Sequence, residues 1–70
     1  MYRLEIPDTL VESLPLRACG AWERRLRGDV ARWCRENLEG WWRLVVRGPR
    51  DALLVCGEMA DAALFRLWWL

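Results

Sequence analysis

The sequence predicts an α+β domain: a small two-layer sandwich, with an antiparallel sheet of about three strands and with one long helix and a C-terminal helix on one face. Three observations carry this prediction. Residues 2–6 and 41–47 alternate between two side-chain classes with period two. Residues 21–39 space apolar side chains three and four apart. Gly48-Pro49-Arg50-Asp51 has turn chemistry and joins two strand-like runs as a hairpin.

Taken in chain order, YRLEI puts Tyr2, Leu4 and Ile6 on one side and Arg3 and Glu5 on the other, a short strand ended by Pro7. In DTLVESLP, Asp8 or Thr9 can cap a helical turn, Thr9 and Glu12 fit a capping box, and Pro15 limits the turn. From Ala21 to Glu39 a helix is expected, with Trp22, Leu26, Val30, Trp33, Cys34 and Leu38 inward. Its outer side pairs Glu23 with Arg27, Arg25 with Asp29, Arg32 with Glu36 and Arg35 with Glu39 at i,i+4. Gly28 is a weak point costing about 1 kcal/mol relative to alanine, and Gly40 is the expected stop. Trp41 to Arg47 and Ala52 to Cys56 read as the hairpin strands. Glu58 to Leu67 reads as a helix with Glu58, Asp61 and Arg66 on one arc and Met59, Ala63, Leu64, Leu67 and Leu70 mostly on the other. A strand over Leu64–Trp69 is the competing reading.

No repeat, low-complexity tract or linker interrupts the chain, so residues 1–70 are read as one domain. Seventy residues lie near the lower limit for a self-sufficient core, and six tryptophans supply the bulk that disulfides or metals supply elsewhere. An apolar content of 54% argues against disorder. All eleven basic residues are arginine and stand against ten acids, so the net charge is only +1, without the basic excess of a dedicated duplex binder. Cys19, Cys34 and Cys56 are an odd, widely spaced set in a chain with no histidine. They read as reduced, buried thiols rather than as a disulfide framework or zinc site, which fits a cytoplasmic location. MYRLEIPDT lacks the apolar run of a signal peptide. The apolar C-terminal stretch is broken by Glu58, Asp61 and Arg66, so no membrane span is expected.

Adjacent side chains on a strand point to opposite faces, so Trp41 and Trp42 cannot share one core. The all-apolar set Trp42, Leu44 and Val46 is assigned to the helices. Trp41, Arg43, Val45 and Arg47 are assigned to the open face, where tryptophan and arginine are the side chains enriched at binding hot spots. Two readings of Trp41 stay open: a contact residue, or a ring lying flat on its own sheet beneath arginine stems. Arg24, Arg35 and Trp69 are secondary contact candidates.

The sequence offers little chemistry. Histidine is absent, the hydroxyl residues are Tyr2, Thr9 and Ser13, and no glycine-rich phosphate loop occurs. Catalysis, a cofactor and a metal are therefore not expected.

The ending DAALFRLWW, Asp61 to Trp69, resembles an Asp-Ala-x-x-Phe-x-Leu-x-Trp ending of small phage and prophage proteins. Size, aromatic density and lack of catalytic residues are also similar to anti-CRISPR proteins, small phage inhibitors that bind a host nuclease complex. That resemblance implies a non-enzymatic module that inhibits a host defence complex by binding it, in the host cytoplasm. The balanced charge does not suit a DNA mimic, which leaves a protein-binding plug. Two alternatives stand beside it. One is a single-stranded nucleic-acid binder using Trp41 and the neighbouring arginines. The other is a structural homodimer closed over the open sheet face.

Overall fold

The computed structural model describes residues 1–15 and 22–70. Strand β1 (Tyr2–Ile6) leads through a 3₁₀ turn (Asp8–Leu10) into β2 (Val11–Pro15), followed by β3 (Trp22–Leu26) and helix α1 (Gly28–Asn37). Strands β4 (Trp42–Gly48) and β5 (Asp51–Cys56) and helix α2 (Met59–Trp69) complete the chain. β1, β5 and β4 form an antiparallel sheet in that order, and β2 pairs with β3 in a separate two-stranded sheet. The α+β class and the antiparallel three-stranded sheet are as the sequence predicts.

Register explains the two-layer packing. Leu4, Leu54 and Leu44 are cross-strand partners, as are Ile6, Ala52 and Val46. Even-numbered side chains therefore share one face, and α1 and α2 pack there. The core joins Ile6, Ala52, Leu54 and Cys56 to Val30 and Cys34 of α1 and to Ala62 and Phe65 of α2. β5 is buried from Ala52 to Cys56 on both faces, which its unbroken apolar run suits as a central strand. Trp33 of α1 locks the helices together. Its ring meets Phe65 edge-on at 5.9 Å, Trp69 edge-on at 6.1 Å, and Trp68 in a stack at 6.2 Å, each pair adding ~0.5–1.5 kcal/mol beyond simple burial.

The long helix requires correction. Ala21, its expected start, and Cys19 lie outside the described residues. Residues 22–26 are strand β3, and the helix runs only from Gly28 to Asn37. Leu26, Val30, Cys34 and Leu38 are buried as the spacing predicts, but a four-residue interval also brings a strand residue inward when a turn intervenes. The strand wins because 11–15 supplies a matching partner: Glu12 faces Arg25 directly and accepts its Nε–H at 2.9 Å. Gly28 opens the helix instead of weakening it. Arg27 pairs with Asp29 at 2.7 Å, whereas none of the four expected i,i+4 pairs forms among the described residues. The expected capping box is likewise absent: the 3₁₀ turn has no side-chain cap, and Glu12 is spent on Arg25.

Helix α2 forms as expected, but its orientation is opposite to the predicted one. Asp61 faces inward, only 5% exposed, with Ala62 and Phe65. Met59, Leu64, Leu67 and Leu70 are exposed, and Ala63 with them. The Asp61 carboxylate accepts the Glu39 N–H at 3.1 Å and the Gly40 N–H at 2.8 Å. Gly40 permits that approach, since a Cβ there would fall 2.6 Å from the Glu58 side chain; the helix itself stops earlier, at Asn37. Replacing Asp61 with alanine leaves two N–H groups without their acceptor and is expected to cost about 2–3 kcal/mol in urea unfolding. Asp61→Asn, which keeps one carbonyl acceptor, should lose less.

Candidate functional site

The strand register places Arg3, Val55 and Arg43 side by side, and Glu5, Leu53 and Val45 likewise, on the face opposite the helices. Leu53 and Val55 are buried between these flanking side chains. Arg43 is exposed and Val45 half-buried. Arg47 follows a register shift near the hairpin turn and donates from Nη2 to Asp51 at 2.7 Å and to Glu5 at 3.3 Å. The Glu5 bond spans the sheet from one edge strand to the other. One end of the face is thus neutralised. At the other end, Arg3 and Arg43 form no ion pair among the described residues.

Trp41 stands at that second end, just before β4. Its carbonyl accepts the Gly57 N–H at 3.0 Å, and its ring lies directly against Gly57, where a Cβ would come within 2.4 Å of the indole Nε1. Gly57 is therefore the seat of the indole, which remains 53% exposed. The ring rests on the Gly57 backbone beside it and leaves about half its surface open to solvent. No local pattern marks the Gly57 seat, because the contact joins segments that only the sheet brings together.

The secondary candidates lie elsewhere. Arg24 is a staple: its guanidinium donates to the Gly48 carbonyl at 3.1 Å, to the Pro49 carbonyl, and to Asp8. It ties β3 to the hairpin turn. Arg24 and Arg35 both border a cleft of about 390 Å³ with Ala31, Trp42 and Leu44, on the helix side of the sheet. Trp69 is half-buried and packs on Trp33 and Phe65. Trp41, Arg43, Val45 and Arg47 are brought together; Arg24, Arg35 and Trp69 do not join them.

Among the described residues, no cluster of three or more histidine, cysteine or acidic side chains suits a metal ion, and no helix is long and apolar enough to cross a membrane. Burial pushes the Cys34 thiol up to about 11, with neighbouring Cys56 adding to the shift. Cys56 is raised by burial and by the nearby Asp61. Neither holds the thiolate that a nucleophile needs at neutral pH. Comparison with known proteins finds no matching family model, no matching curated sequence and no matching solved structure.

The thiol shift has a consequence for stability. An unfolded thiol releases its proton near 9.0, whereas folded Cys34 keeps it to about 11. The unfolded state then binds fewer protons, so stability is intact below pH 9 and falls as pH rises toward 11. Denaturant melts across that window should show the decline, and Cys34→Ala should flatten it, leaving the smaller part due to Cys56.

Proposed function

We propose that this chain is a small protein-interaction module that works by binding rather than by chemistry, using the open sheet face centred on Trp41, Arg43 and Val45. The observation that carries this reading is the half-exposed indole seated on Gly57, at the end of the sheet face that also carries Arg3 and Arg43, neither of which has an acidic partner among the described residues. An aromatic anchor next to unneutralised arginine is the composition of a binding hot spot. It suits a partner surface with an apolar socket bordered by carboxylates. The Trp41 carbonyl accepts the Gly57 N–H at 3.0 Å, which ties the backbone on both sides of the indole together and lowers the ordering cost of binding. A plug that occupies a larger host assembly, as a phage-encoded inhibitor of a defence complex would, is the form of this module we favour.

The same indole and arginines favour a second reading, single-stranded nucleic acid, in which a base stacks on Trp41 and phosphates meet Arg3 and Arg43. Salt separates the two. Nucleic-acid affinity falls steeply and linearly with log salt, whereas a contact built on a seated indole weakens little.

The test is capture from host lysate on immobilised protein, followed by identification of the bound species. A specific partner should be retained by the wild type and lost with Trp41→Ala or Arg43→Glu, each weakening binding by more than about 2 kcal/mol. Capture unchanged in both variants, with folding intact by circular dichroism, rules this face out.

A further inference from the structure

Helix α2 is apolar nearly all the way round, the composition of a helix buried on every side. Yet Leu67 is 83% and Trp68 66% exposed, and Met59, Leu64 and Leu70 are exposed with them. Ala60, Ala63, Leu67 and Leu70 recur at spacings of three and four, so they form one stripe along the helix pole opposite Phe65. Leu64 and Trp68 form one flank of that stripe and Met59 borders the other. Arg66 borders the stripe on the Met59 side, where Met59, Ala63 and Arg66 line a shallow cleft with Tyr2 and Arg3 of β1.

We infer that this stripe is the seam of a homodimer, covered by α2 of a second copy running antiparallel. Two features point to a copy of the same chain. The first is shape. The small residues, Ala60 and Ala63, sit in the N-terminal half of the stripe and the large ones, Leu67 and Leu70, in the C-terminal half. A two-fold axis near Phe65 sets Ala63 against Leu67 and Ala60 against Leu70, so each large side chain meets a small one. An isologous contact requires this self-complementarity. The second is area. Met59, Leu64, Leu67, Trp68 and Leu70 are all exposed along one short helix, and a monomer seldom leaves so many large apolar side chains open together. A symmetric pair covers the stripe twice, which brings it toward the ~1,000 Å² of a specific interface. Antiparallel pairing also sets each helix N-terminus beside the other's C-terminus, the favourable dipole arrangement. The sheet face bearing Trp41 stays free in such a dimer, which then offers two copies of it.

Light scattering over a concentration series tests the seam. The wild type should approach twice the 8.3 kDa chain mass. Leu67→Arg should weaken the dimer by more than about 30-fold. Ala63→Leu, which crowds Leu67 of the second copy, should weaken it also. Both positions are exposed, so far-ultraviolet circular dichroism should be unchanged, and Trp41→Ala should leave the dimer intact. A wild type that stays monomeric overturns the inference, as does a dimer indifferent to Leu67→Arg or strengthened by Ala63→Leu. A monomer that cosediments with vesicles of phosphatidylcholine and phosphatidylglycerol would assign the face to lipid instead.

Discussion

The Asp61 carboxylate, accepting two backbone N–H groups from the segment between α1 and β4, sets the geometry on which the rest of the molecule depends. A helix whose side chains are apolar on almost every side has no hydrophobic phase of its own, because any face would suit the core about equally. The single charged group that needs buried hydrogen-bond partners decides the phase instead. Turning Asp61 toward Glu39 and Gly40 turns Ala62, Phe65 and Trp69 toward Trp33 and the sheet. By the same rotation Leu67 and Leu70 are driven outward. The buried polar bond and the exposed apolar stripe are one event seen from two sides of the helix.

The sheet distributes its side chains by a stricter rule. With a period of two there is no rotational freedom, and even-numbered residues of β1, β4 and β5 share the face the helices pack on while odd-numbered ones take the other; the helices do not reach its ends, so Val46, expected beneath them, is exposed beside the register shift, as is Tyr2. That second face is not bare. Leu53 and Val55 are buried in it between the side chains of the edge strands, and Arg47 bridges to Glu5 across it. What remains available is its far end, where Trp41 rests on Gly57 between the hairpin strands and α2. The indole there is half exposed, and Arg3 and Arg43 on the same face form no ion pair among the described residues. The sheet end and the helix stripe lie on opposite layers of the molecule.

The legible parts of the fold were those with strong local period. The strand 2–6, a hairpin in the region expected to turn over residues 48–51 and a helix near the C-terminus, though not its inward face, are legible in the sequence, as is the exposure of Trp41 and Arg43. The long helix was misread because Leu26, Val30 and Cys34 keep helical spacing across a real break at Arg27 and Gly28. Helix propensity over 22–26 was overridden by the partner strand 11–15, whose Glu12 meets Arg25. Arg24, read as a contact residue, is drawn into the structure by carbonyls of a turn twenty-four and twenty-five residues away, a partnership with no local trace.

The sequence by itself determined the class of fold, the alternation of the sheet strands, a tryptophan-rich composition and the absence of histidine, because these follow from composition and from intervals of a few residues. The tertiary structure alone decided where the chain switches from strand to helix after residue 26, which way α2 faces, and that Gly40 and Gly57 are spaces held open for Asp61 and Trp41. Those outcomes turn on where distant backbone N–H and carbonyl groups come to lie. Buried polar groups must find such partners, and no local pattern states where the partners are.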